Sequence, residues 1–217
     1  MLDINILTDH LDLYMEGFGN TVKASLLALA GSFVLGVIFA VMRISTFRLL
    51  RIIGTAYVEF FRNIPLLLIV MFFYLGSGNL GLNLDGFEAG TIGLANYTSA
   101  FIAEAIRAGI LAVPKGQVEA GRSSGLTYLQ TMQYIVLPQS IKIVIPPLGN
   151  QFLNLIKNSS VLGVVAGLDL MYFGDLINSE TFKVFGTYIF VAMFYLLLTI
   201  PLSLIISILE RRLARNY

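Results

Sequence analysis

TVKASLLALAGSFVLGVIFAVM, residues Thr21 to Met42, carries one charge, Lys23, in an otherwise apolar run. A helix of about 20 mostly apolar residues, rising 1.5 Å each, crosses a hydrocarbon core about 30 Å thick. The stretch therefore predicts a membrane span. Working outward, four more stretches meet the same test: about Tyr57–Gly78, entered through the polar run Glu59–Pro65, then about Thr91–Val113, Ile141–Val165 and Phe185–Leu209. Pro146 and Pro147 are placed near the start of the fourth, where a helix tolerates proline best. The expectation is an all-α membrane protein of about five transmembrane helices, forming a single domain over 1–217. A short helix on the outer surface is expected over Asp169–Phe182.

Composition agrees with lipid as the solvent. Of 217 residues, 57% are hydrophobic and 12% charged, with a mean hydropathy of +0.81. That is more apolar surface than a soluble core of this size buries. The positive charges cluster between spans one and two (Arg43, Arg48, Arg51, Arg62), between spans three and four (Lys115, Arg122, Lys142) and after span five (Arg211, Arg212, Arg215). The intervening regions carry Asp3, Asp9, Asp12, Glu16, Asp85, Glu88, Asp169, Asp175 and Glu180, with Lys23 and Lys183 the nearby positives. By the positive-inside rule the N-terminus lies outside and the C-terminus inside. An acidic N-terminal stretch is the opposite of a cleaved signal's basic start, so the first span reads as retained.

Polar residues inside the spans mark where chemistry is to be sought, because each intramembrane charge costs about 2.5–3.5 kcal/mol on insertion scales. In span three, Glu104 and Arg107 are spaced to pair, or else to line or gate a path. In span four, Asn150, Asn154, Lys157 and Val161 fall on one helical face, with Gln151 and Asn158 beside them. Such a stripe faces another helix or a wet path. Lys157 could attract a carboxylate, and Glu104 or Asp169 an ammonium group. The alternative is that the amides bridge helices and Lys157 pairs with Glu104 as structural glue. Ser32, Gly36 and Ala40 form a small-residue stripe, suited to packing within the chain or to a dimer seam.

Catalytic readings find no support in the sequence. There is no Gly-x-x-x-x-Gly-Lys-Ser/Thr phosphate loop, no Gly-x-Ser-x-Gly elbow and no zinc-protease signature. Cysteine is absent and the lone His10 sits in the acidic tail, so neither a metal site nor a thiol nucleophile is expected. The chain is expected not to be an enzyme and not to bind nucleic acid. His10 reads as a polar tail residue.

Between spans three and four lies EAGRSSGLTYLQTMQYIVLP, Glu119 to Pro138. It resembles the EAA loop of bacterial ABC importer permeases, with Glu119, Ala120, Gly125, Ile135, Leu137 and Pro138 at the family spacing and Gly121 replacing a second Ala. Three further patches, EFFRNIPLL (Glu59–Leu67), SAFIAEAIRAGI (Ser99–Ile110) and LGNQFLNLIKNSS (Leu148–Ser160), are similar to the polar amino acid subfamily, with Ile64 where Thr is usual. The resemblance implies a permease subunit for histidine, glutamine, glutamate, arginine or a similar amino acid. It implies a cytoplasmic coupling helix in a loop of about 114–138, where Glu119, Ala120, Gly121, Arg122, Gly125, Leu137 and Pro138 meet a separate ATPase subunit.

That ATPase, not this chain, would bind ATP and Mg. The other implied partners are a second permease subunit, identical or homologous, an extracytoplasmic substrate-binding protein and the lipid of a bacterial inner membrane. Glu59, Arg62, Pro65 and Arg107 are structural or gating candidates. Lys115, Glu119 and Arg122 share one face of the coupling helix. Gly125 either ends that helix in a left-handed conformation or admits a partner's backbone. An ion-coupled carrier or channel working through Glu104 or Asp169 is the rival reading.

Overall fold

The computed structural model describes residues 3–214, which form helices joined by short connections, with no strand among them. Arg215, one of the positive charges used to orient the chain, lies outside the described residues. A one-turn helix α1 (Asn5–Asp9) leads into α2 (Leu11–Ile44), 34 residues long, or about 51 Å. The helix thus starts ten residues before the expected Thr21. Its acidic first third is not a tail because it packs on protein: Tyr14 is buried, stacks on Phe194 at 5.6 Å and donates its hydroxyl to the Thr187 carbonyl at 3.3 Å. His10, half-buried, places Nδ1 3.1 Å from the Ile6 carbonyl and Nε2 3.8 Å from Glu180. Asp3 pairs with Lys183 at 2.6 Å, and that hydrogen bond holds its carboxyl below the usual carboxylate range.

Helix α2 is small on its packed side and large on the other. Thr21, Ala24, Ser25, Ala28, Ser32, Gly36 and Ala40 are buried, while Leu26, Val34, Ile38 and Val41 are exposed. In lipid no hydrophobic force pulls helices together, so close backbone approach and dispersion must do it. A Cβ on Gly36 would come within 2.5 Å of the Ile102 side chain. The Ser32–Gly36–Ala40 stripe therefore packs inside the chain.

The second expected span is broken. Helix α3 (Arg48–Asn63) and helix α4 (Leu66–Gly76) meet at 105°. Ile64, with φ −105 and ψ 135, is driven out of helical geometry by the proline that follows, and Pro65 has no amide to continue the ladder. Helix α4 runs on into a 3-10 turn, Ser77–Leu80.

Helix α5 (Gly86–Leu111) starts earlier than expected because Asp85 and Glu88 form a capping box: the Asp85 carboxylate accepts the Glu88 amide at 2.8 Å, and the Glu88 carboxylate accepts the Asp85 amide at 3.3 Å. It is the central element, touching α2, α3, α4 and the helix that follows the loop.

Next come α6 (Lys115–Ser123), α7 (Tyr128–Thr131) and a π-helical turn (Met132–Val136) that feeds α8 (Leu137–Asn158) without a break. Pro146 and Pro147 consequently lie in the interior of α8, not near its start. A 3-10 segment (Ser159–Val165), α9 (Leu170–Thr181) and α10 (Val184–Ala214) complete the chain, α9 falling where the short helix is expected.

Among the described residues two helices, α2 and α10, are long and apolar enough to cross a membrane, or up to four spans if each bent pair counts as one. The second bent pair joins the α7-to-3-10 run with α9 at 50°. Helix α5 falls short in apolar content, not in length, since Glu88, Asn96, Glu104 and Arg107 interrupt it.

Candidate functional site

The loop between α5 and α8 is braced from within and bare outside. Helix α6 ends at Gly125, which has φ +86; the Gly125 amide donates to the Arg122 carbonyl at 3.1 Å and the Leu126 amide to the Gly121 carbonyl at 3.2 Å. These bonds define a Schellman turn. Nothing among the described residues would meet a Cβ at Gly125, so here glycine serves the left-handed turn. Arg122 tightens it by donating to the Leu126 carbonyl at 2.9 Å. Gly121 is buried: a Cβ there would lie 2.6 Å from the tip of Ile135 and 3.1 Å from Thr131. The residue that departs from Ala-Ala thus lets α6 settle on the π-helical turn.

Thr127 opens α7 with a second capping box, its hydroxyl accepting the Gln130 amide at 3.3 Å and its amide donating to Gln130 Oε1 at 2.8 Å. Outward, Glu119, Ala120, Arg122 and Gly125 are exposed, and Leu129 (76%) and Tyr134 (63%) project with them.

The π-helical turn has a chemical cause. In an α-helix the Tyr134 carbonyl would accept from residue 138, but Pro138 has no donor and its ring crowds that carbonyl. The ladder shifts register, and the Leu137 amide donates to Met132 instead. The Ile135 carbonyl takes a side-chain bond from Gln139 Nε2 at 2.8 Å.

Toward the end of α5, Glu104 sits among three arginines. Arg43 from α2 donates to Oε2 at 2.5 Å, and Arg107 donates from Nη2 to Oε1 at 2.6 Å and from Nε to Oε2 at 3.1 Å. Arg62 from α3 approaches Oε2 at 3.9 Å and lies 5.5 Å from the Phe101 ring centre. Glu59 stands 3.7 Å from Arg43. The cluster ties α2, α3 and α5 together. Arg43, with 9% of its side chain exposed, buries its Nε with no hydrogen-bond partner among the described residues. A cleft of about 380 Å³ joins this cluster to the loop, lined by Arg43, Arg107, Lys115, Tyr128 and Met132 among others.

The third constellation is the polar face of α8. Asn150, Asn154 and Lys157 are all exposed in the single chain, with Lys157 beside Leu153, Thr199, Ile200 and Ser203. Glu104 is thus satisfied by arginines, and Lys157 is not its partner. Asp169 takes part in a different arrangement, at the start of α9. Fully buried, it caps α9 by accepting the Tyr172 amide at 3.1 Å and the Met171 amide at 3.2 Å, with the Tyr195 hydroxyl at 3.5 Å. Its spacing before α9 is an N-cap signal.

Sequence reading did not find Arg43, whose partner is 61 positions away. It could have found both capping boxes, Asp85-x-x-Glu88 and Thr127-x-x-Gln130, from their spacing.

Residues 32–215 match the family described as "Binding-protein-dependent transport system inner membrane component". The "Probable glutamine ABC transporter permease protein GlnM" of Bacillus subtilis (strain 168) is 66% identical over 216 residues, covering 100% of both chains. The "Glutamate transport system permease protein GluC" of Corynebacterium glutamicum is 35% identical, covering 92% of this chain and 93% of that one. Among solved structures, one described as "Crystal structure of an amino acid ABC transporter with histidines" superposes with a TM-score of 0.91 at 36% identity, over 98% of this chain and 99% of that one. The inward-facing MetNI methionine transporter shares the fold at a TM-score of 0.77 and 20% identity, over 94% and 98%. The protein belongs to the family of binding-protein-dependent transport system inner membrane components, among its amino acid ABC permeases.

Proposed function

We propose that this permease carries a polar amino acid of the glutamine or glutamate class through the bacterial inner membrane, with five spans, the N-terminus outside and the C-terminus inside. Two permease chains, identical or homologous, enclose the path; an ATPase subunit, holding ATP and Mg, docks on each loop 114–138; and a binding protein delivers substrate from outside. The observation that carries this reading is the α6–α7 segment, braced by the Schellman turn and the Thr127 capping box while Glu119, Arg122, Leu129 and Tyr134 stay uncovered. A rigid handle with a bare face suits a separate motor. Alternating access then follows as the ATPases close on nucleotide and reopen after hydrolysis.

The polar face of α8 supplies the path. A lysine and two asparagines partway along a membrane helix, uncovered by their own chain, require water or a second chain opposite them. Lys157 attracts the substrate carboxylate, and Asn150 and Asn154 offer amide donors and acceptors. Glu104, neutralised by its arginines, serves with Glu59, Arg62 and Arg107 as a joint between spans. Pro65 sets the bend that brings α3 to this joint. Asp169 orders the outer connection to α9.

The test is reconstitution with the ATPase and binding protein. Uptake should require ATP and survive collapse of proton and sodium gradients; uptake that follows an ion gradient without ATP would establish the carrier instead. Lys157→Met should abolish uptake while sparing assembly and basal ATP hydrolysis, and normal uptake by that variant would remove Lys157 from the path.

A further inference from the structure

Helix α3 has three flanks. At 3.6 residues per turn, Gly54 and Val58 share the flank that packs on the protein: Val58 is buried, and a Cβ on Gly54 would lie 3.0 Å from Met42. A second flank presents Leu49 (69%), Ile53 (46%) and Phe60 (58%) outward. Roughly across the helix from it, a third presents Arg48, Arg51 and Arg62. Arg62 is held by Glu104 and Phe101, whereas Arg48 and Arg51 are exposed and have no ion-pair partner among the described residues.

The 105° bend sets α3 across the direction of α4, whose exposed Leu67, Leu68, Phe72 and Leu75 belong in hydrocarbon. A helix tethered at that angle lies along the membrane surface.

We infer that α3 is an interfacial helix that selects anionic phospholipid headgroups, with Leu49, Ile53 and Phe60 among the upper acyl chains and Arg48 and Arg51 on the lipid phosphates. This rests on the membrane orientation proposed above, which puts α3 at the cytoplasmic leaflet. Charge complementarity favours lipid over a protein cover: three arginines against one glutamate on α3 face a leaflet whose anionic lipids attract about 1 kcal/mol of binding per basic residue near the surface. Because α3 also delivers Glu59 and Arg62 to the cluster at the end of α5, headgroup contacts act at the joint leading into the coupling loop.

The chain has no cysteine, so an introduced one is the single label site in this subunit, and the partner subunits would be used as cysteine-free variants. Ile53→Cys, and separately Phe60→Cys, would be labelled with an NBD fluorophore in the complete importer and reconstituted in phosphatidylcholine–phosphatidylglycerol vesicles. Quenching by doxyl-labelled phosphatidylglycerol should exceed that by the same fraction of doxyl-labelled phosphatidylcholine. The R48Q/R51Q background should reduce the ratio by about fivefold per arginine at most, the factor matching that per-charge attraction, and raised salt should do likewise. Equal quenching by the two lipids would overturn the headgroup selection, and no quenching at either position would overturn the interfacial placement. Uptake measured in the same vesicles keeps the readings apart, since its loss with normal quenching counts against the transport assignment and not against α3.

Discussion

Gly125 is where the coupling loop depends on a single residue. A side chain at φ +86 costs about 1–2 kcal/mol, more if β-branched, and the left-handed turn is what brings the Leu126 amide to the Gly121 carbonyl. Gly125→Val should therefore lower ATP-driven uptake by roughly tenfold or more while the complex still assembles and basal hydrolysis persists; unchanged uptake would show that the turn is dispensable. Glu104→Gln makes a different test, because it leaves Arg43 facing Arg62 and Arg107. A lost charge-assisted bond at a partly exposed site is worth about 1.5 kcal/mol, readable as a lower unfolding temperature of the detergent-solubilised complex. The two residues also differ in legibility. Gly125 announced itself at a fixed distance in a motif, and its left-handed turn was one of two stated options. Glu104 showed the partner three positions on but was also offered Lys157, which is not its partner; Arg43 and Arg62 reach it through folding, and no local pattern encodes that.

At the scale of elements, the π-helical turn connects the loop to the polar face of α8. A π turn holds one more residue than the α turn it replaces, so its removal rotates everything beyond it by about 100°. Pro138→Ala restores the missing donor. The variant should remain folded yet uncouple, with ATP hydrolysis continuing and uptake reduced several-fold; parallel retention of both would mean that the register of α8 relative to α6 is unimportant. The resemblance marked Pro138 as a motif position, but its effect on the ladder could not be read from spacing. The same holds at Pro65: the proline closing a polar run read as the entry to a span, and only geometry shows it dividing that stretch into two helices that meet at 105°. Long, mostly apolar runs located α2, α5, α8 and α10. The ends of these helices were misjudged where capping pairs or protein packing, and not lipid, decide them, as at Asp85 and Tyr14.

At the scale of the whole molecule, the long helices α2, α8 and α10 leave two contrasting bare surfaces. One is aliphatic, along α2 and α10; the other is the Asn150–Asn154–Lys157 face, which is exposed among the described residues. In the assembled importer, Asn154→Cys should react with a water-soluble thiol reagent, whereas Leu197→Cys should react only with a membrane-permeant one. Silence at Asn154→Cys would place the polar face in a dry contact between chains. The small-residue seam of α2 against α5 has a thermal consequence. Separating those helices inside a bilayer trades protein contacts for lipid contacts and wets almost no apolar area. The heat-capacity increment that bends the stability curve of a water-soluble domain is then nearly missing, so the α2–α5 pairing should weaken almost linearly with temperature and show no cold-induced opening.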